Sequence, residues 1–176
     1  MRYSHRKLYV AKIGLSFWKA TRMAKLNLKA ILEAAVKMEE QSYAVYAMAQ
    51  EKVNYQSSKK FLKELAQEEL KHKDKLLAVM ENKEKLSELG LHTRRIQDLK
   101  IIDVMKDTTL SEDADYQRIL VYAAKREKST YEYYNSLAAG FEGTEVGDLF
   151  SKLAQEELKH KNRLEKEYDE YLMKEN

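Results

Sequence analysis

Nine consecutive residues, LAQEELKHK, occur twice in this chain, at 65–73 and again at 153–161. An identical word at an offset of 88 residues marks an internal duplication. The correspondence reaches well beyond the word itself. The same offset carries Ile31, Leu32, Ala35, Lys37, Glu39, Tyr43 and Tyr46 onto Ile119, Leu120, Ala123, Lys125, Glu127, Tyr131 and Tyr134 without a gap. Whatever the first half folds into, the second half must fold into as well.

Apolar residues within each half follow a helical period. One stripe runs through Leu32, Ala35, Val36, Tyr43, Tyr46, Ala49 and Val53, predicting a helix over about 28–56, and a second runs from Phe61 to Met80, predicting one over about 58–82. Their counterparts cover about 114–139 and 145–173, with Gly140 expected as the residue just past the third helix and a turn at Gly143–Thr144. The chain has no proline and only five glycines, which nearly excludes a turn-rich β-sandwich or barrel. Two helix hairpins, each with one apolar face, bury those faces most readily against each other. The expected fold is therefore all-α, a four-helix bundle built from a duplicated hairpin. Residues 83–113 form a single long crossover, too long for a simple helix–helix loop.

The stripes carry polar residues where a core should be apolar, and they do so in register. Glu39 lies between Ala35 and Tyr43, and Glu127 between Ala123 and Tyr131. On the second and fourth helices the interruptions are Glu69 with His72 and Glu157 with His160. The i,i+3 spacing puts each Glu and His on one helix face, where both can hold one cation. In each half 30 residues separate the lone Glu from the Glu-x-x-His pair, which suits a hairpin that doubles back to the same depth. Glu68 and Glu156 also repeat, but they sit about 100° off that face and are expected to be solvent-exposed. His5 and His92 have no repeat partner and read as surface residues.

Four buried carboxylates need compensating charge, and two divalent cations supply it. With no cysteine, any metal must be held by oxygen and nitrogen ligands, a set that suits iron or manganese. One Glu on each of two helices plus Glu-x-x-His on the other two is the ligand pattern of di-iron and di-manganese bundle proteins. Tyr46 and Tyr134 lie two turns after Glu39 and Glu127, on the same face, where their phenols can bond a ligand carboxylate or pass electrons. Ordinary core tyrosines would look the same. A single Glu-x-x-His in a Glu- and Lys-rich helix is a chance event on a solvated face, and a metal-free structural bundle is the bland alternative. Two copies in register with two further core-facing glutamates favour the metal site.

The segments KMEEQSYAVY, LAQEELKHK, KREKSTYEYY and the second LAQEELKHK resemble the ferritin-like superfamily, and within it the rubrerythrin-like di-iron proteins. The resemblance covers about 28–174 and includes the spacing of all six candidate ligands. It implies two iron ions, with manganese possible. Glu69 and Glu157 would bridge them, Glu39 and His72 completing one metal, Glu127 and His160 the other. The implied activity is reduction of hydrogen peroxide or dioxygen by an oxidoreductase that draws electrons from an external donor, rubredoxin-like or similar. Rubrerythrins carry a further glutamate one turn after the third-helix ligand, which takes part in a redox-dependent ligand exchange. Here that position is Thr130 and its counterpart is Ser42, so a more symmetric four-Glu, two-His site is expected. The cysteines of a rubredoxin domain are also missing. Ferritin-like iron oxidation and sequestration is the alternative function. It requires a many-subunit cage, whereas a homodimer is expected for the enzyme.

Residues 1–32 hold eight Lys or Arg and no acid, leaving 24 basic against 29 acidic residues from Glu33 onward. The division is thus a basic N-terminal arm or extension over 1–27 and the bundle over 28–176. Such an arm could meet a membrane surface or nucleic acid, or serve as a transit peptide. Equally, Met23 could be the natural start, with 1–22 an extension that has no role. Its apolar stretches are split by Lys12 and are too short for a membrane span. A cytoplasmic protein that binds neither membrane nor nucleic acid is the simplest expectation.

Overall fold

A computed structural model describes the backbone of residues 4–81 and 114–175, and the side chains of 28–81 and 114–173. The crossover expected over 83–113, and His92 within it, lie outside the described residues, as does the side chain of His5. Four helices make up the described chain: α1 (Ser4–Lys52), α2 (Gln56–Glu81), α3 (Tyr116–Gly140) and α4 (Glu145–Glu175). The helices pack most closely within the hairpins α1–α2 and α3–α4, and the hairpins meet as a four-helix bundle.

The helix ends follow from local chemistry. Asp115 caps α3 by accepting a hydrogen bond from the Arg118 amide at 2.8 Å. Thr144 does the same for α4, its hydroxyl accepting from the Gly147 amide at 3.1 Å. The third helix does not end as the sequence suggested. Gly140 is the last helical residue, Phe141 is the C-cap, and the left-handed residue is Gly143 (φ 75°). Two glycines in one turn offered two places for the left-handed step, and the chain took the later one. The first helix begins at Ser4, well before the predicted 28, because no proline interrupts the arm and its backbone runs on as helix.

The core has two separate apolar clusters. One contains Tyr46, Ala49 and Val53 of α1, Leu62 and Leu65 of α2, Ile119, Leu120 and Ala123 of α3, and Leu164 of α4. The other contains Leu28, Leu32 and Ala35, then Leu76 and Val79, Tyr134, and Leu149, Phe150 and Leu153. Every helix leaves one cluster and enters the other. Glu39, Glu69 with His72, Glu127, and Glu157 with His160 occupy the stretch between them. The bundle is thus an apolar–polar–apolar sandwich along its axis, with the repeated acids and histidines as the middle layer.

Candidate metal centre

The six residues of the middle layer come together in one place. Each is between 0 and 3% exposed, a degree of burial that ionisable side chains reach only when something compensates them. The rings of His72 and His160 stack 5.4 Å apart at 15°. His72 Nδ1 lies 2.8 Å from Glu157 Oε1, 3.6 Å from Glu69 Oε2 and 3.7 Å from Glu39 Oε2. His160 Nδ1 lies 2.8 Å from Glu69 Oε1 and 3.9 Å from both Glu127 Oε2 and Glu157 Oε2. One ligand atom from each of Glu69, His72, Glu157 and His160 falls within 4.8 Å of all the others, close enough to surround a cation.

The two outer glutamates are held from the opposite hairpin. Tyr46 of α1 donates its hydroxyl to Glu127 Oε1 of α3 at 2.6 Å, and Tyr134 of α3 donates to Glu39 Oε1 of α1. The phenols are therefore fixed on carboxylates of this layer, as one of the two sequence readings had it. Each bond uses one carboxylate oxygen and leaves the other facing inward. What remains is a set of eight buried atoms with no hydrogen-bond partner: Oε2 of Glu39 and Glu127, both oxygens of Glu69 and Glu157, and Nδ1 of both histidines. Native interiors leave few buried polar atoms unsatisfied, so eight in one layer call for a ligand. All eight are oxygen or imidazole nitrogen, the donor set that suits iron or manganese.

The sequence reading misplaced Glu68 and Glu156. Both are half-buried, and each holds the outward nitrogen of a histidine from the other hairpin. Glu68 Oε2 lies 2.6 Å from His160 Nε2, and Glu156 Oε2 lies 3.0 Å from His72 Nε2. A carboxylate on Nε2 keeps the proton there and turns the Nδ1 lone pair inward, the tautomer a metal needs. Arg163 anchors Glu68 with contacts of 3.0 and 3.2 Å, and Lys75 anchors Glu156 at 2.7 Å. Two signals pointed to this pair: it is part of the repeat, and a ligating imidazole needs a partner for its second nitrogen.

Charge in the layer is strongly coupled. Burial pushes the Glu39 carboxyl up to about 7 against the pull of His72, with Glu69 adding to the rise. Burial and the charges of Glu69 and Glu39 likewise raise Glu157 to about 7. Burial and the neighbouring Glu157 and Glu69 push Glu127 well above the carboxylate range. Glu69 is the exception, since the imidazoles of His160 and His72 lying close against it overcome its burial and hold it low. Burial opposes charging of the histidines, but the surrounding carboxylates prevail. His72 is raised well above its usual value, chiefly by Glu157 and Glu156, and His160 to about 9, chiefly by Glu68 and Glu69. Without a cation, the layer holds protons in its place.

A family model described as rubrerythrin matches residues 11–112 and 118–176. The chain belongs to the rubrerythrin family. No curated protein and no solved structure gives a significant match. Where the resemblance leads one to expect a further glutamate stands a buried Thr130, whose hydroxyl turns back to donate to the Arg126 carbonyl at 3.1 Å. Its counterpart Ser42 is buried too and accepts from Arg126 Nε at 3.0 Å. The family match begins at residue 11, inside the basic arm, and takes in the crossover. No helix among the described residues is long and apolar enough to cross a membrane.

Proposed function

We propose that this protein is a di-iron oxidoreductase that reduces hydrogen peroxide, or dioxygen, with electrons from an external donor. The observation that carries the reading is the set of eight unpartnered donor atoms converging in a layer shielded by apolar clusters on both sides. Glu69 and Glu157 lie centrally and would be shared between the two metals. Glu39 with His72 would hold one metal and Glu127 with His160 the other, while Tyr46 and Tyr134 support the outer carboxylates of Glu127 and Glu39. Iron at both positions, or manganese in its place, supplies the one-electron chemistry when bound. The balance is one peroxide, two electrons and two protons giving two waters.

The chain's own groups prepare the site for this. The Tyr46 and Tyr134 hydroxyls keep their protons, because burial and the adjacent Glu127 and Glu39 push both phenols far above their ordinary range. They act as fixed donors that stop Glu39 and Glu127 from turning. Glu68 and Glu156 hold the Nε2 protons of the histidines. The apolar clusters close the middle layer off along the bundle axis on both sides.

Anaerobic loading with ferrous iron followed by metal analysis tests the proposal. Two irons per chain and peroxide consumption matched to donor oxidation are expected. Glu69→Ala and Glu157→Ala should each fail to hold a pair, since each removes a bridge. A loaded wild-type chain with less than one iron or manganese would sink the reading, as would full pair retention in either variant.

A further inference from the structure

Tyr134 has a neighbour that its twin in the repeat lacks. Its ring packs against that of Tyr133, with the centroids 5.8 Å apart and the planes at 52°. The residue equivalent to Tyr133 in the first half is Val45, so Tyr46 has an aliphatic side chain at the matching place. Tyr133 is partly exposed, whereas Tyr134 is fully buried. The Tyr133 hydroxyl has no hydrogen-bond partner among the described residues, which leaves it to water. Tyr134 donates to Glu39 Oε1. Two phenols in contact thus lead from a carboxylate of the middle layer to the surface of α3. On its other side Tyr134 stacks on Phe150 at 6.0 Å and 19°, and Phe150 in turn meets Phe141. A phenyl ring is far harder to oxidise than a phenol, so that branch is a dead end for an electron vacancy.

The electron balance of the proposed reaction gives such a route work to do. Peroxide accepts two electrons, and a one-electron donor delivers them singly. A pair that meets peroxide after receiving only one is short by one. With no cysteine in the chain, the phenols bonded to Glu39 and Glu127 are the readily oxidised groups beside the centre. The missing electron is easier to draw from a phenol whose proton can leave for water than from one enclosed among apolar groups, where charge is costly. A vacancy formed at Tyr134 therefore runs downhill to Tyr133.

We propose that Tyr133 is the exit for a single oxidising equivalent from the centre, reached through Tyr134, and the residue at which oxidative modification of this protein begins. The proposal rests on the redox reading above. One peroxide, one electron from the half-reduced pair, one electron and one proton from Tyr133, and one further proton from water give two waters and a phenoxyl radical on Tyr133. In passing, the Tyr134 proton shifts along its hydrogen bond to Glu39 and returns. A small water-soluble reductant of the ascorbate or thiol class restores the phenol with one electron and one proton. Where none is present, radicals on two chains join through a carbon–carbon bond between the rings, the displaced ring hydrogens returning to the oxygens, to give dityrosine.

The test takes the full iron-loaded chain, reduced by one electron per pair with dithionite, and adds one equivalent of peroxide without a donor. The wild type should show an organic radical by freeze-quench electron paramagnetic resonance. On standing it should gain dityrosine fluorescence and covalent dimers whose cross-link peptide mapping places at Tyr133. The fully reduced pair, which carries both electrons, should give neither. Tyr133→Phe should lose the dimer at equal iron content, and Tyr134→Phe should lose it too, although Tyr133 is intact. Tyr43 and Tyr55 are more exposed than Tyr133, at 39% each, so indiscriminate attack from solution would mark them first. Cross-links at those two residues, or dimers that form equally in Tyr133→Phe, would overturn the exit. So would an iron-loaded wild type that consumes the peroxide and leaves Tyr133 unmarked. A wild-type chain that holds no iron pair, recognised by metal analysis before peroxide is added, sinks the redox reading and the exit with it.

Discussion

Glu156 accepts from His72 Nε2 and from Lys75 Nζ through one and the same oxygen, so its removal frees an imidazole that no other described residue holds at Nε2. Glu156→Ala should lower metal affinity by about 10- to 100-fold, and Glu156→Gln should restore most of it, measured by competition with a chelator. Tyr134→Phe leaves Glu39 Oε1 buried without its donor, at a cost of about 1–3 kcal/mol in metal-free protein by urea unfolding. Proton linkage follows from the raised values. His160 at about 9, and Glu39 and Glu157 at about 7, hold protons near neutral pH that a metal must displace. Metal binding therefore releases protons and weakens as pH falls below about 9, where His160 takes up its proton, and further below about 7, where Glu39 and Glu157 do. Calorimetric titration in buffers of different ionisation enthalpy reads that release, and its absence would contradict the assignment of these atoms as ligands. The six middle-layer residues were legible because a polar residue in an apolar stripe is conspicuous when it occurs twice. Glu68 and Glu156 were not, because a position 100° off the face reads as solvent unless the histidine's second nitrogen is counted as a group needing a partner.

At the scale of the elements, the tight turn between α3 and α4 sets how the second hairpin closes. A Cβ on Gly147 would come within 2.2 Å of the Phe141 carbonyl oxygen, a backbone atom with no freedom to retreat. Gly147→Ala should therefore force α4 away from the turn and destabilise the protein by about 1–3 kcal/mol, seen as a lower melting temperature with helicity preserved. Gly147→Ala melting like the wild type would show that the turn yields without cost. Periodicity located all four helices, and the duplication paired them into hairpins. It could not resolve which glycine of the 140–147 turn takes the left-handed step, because Gly140 and Gly143 can both adopt it and periodicity does not report backbone conformation. Nor could periodicity show that α1 continues back to Ser4, since an apolar stripe reports which residues are buried and not how far a helix runs past them.

For the molecule as a whole, the middle layer joins two apolar clusters that share no residue. Four acids in that layer repel one another unless cations or protons intervene, so the metal pair should govern the coupling of the two ends. Loading should raise the stability of the whole bundle by about 4 kcal/mol at a free metal concentration a thousandfold above the dissociation constant, read as a rise in melting temperature. Chelation should reverse it. An unchanged melting temperature would mean that the layer is satisfied without metal.

The hydrogen bonds around the middle layer all cross between hairpins: Tyr46 to Glu127, Tyr134 to Glu39, Glu156 to His72, Glu68 to His160. One hairpin by itself therefore contains no finished half-centre, only the clamps for its twin. Two identical single hairpins meeting about a twofold axis would supply everything, which makes such a symmetric pair the simplest ancestor for this chain. Fusion of the two copies then freed each side to diverge, as Lys75 and Arg163, at equivalent places in the repeat, already have.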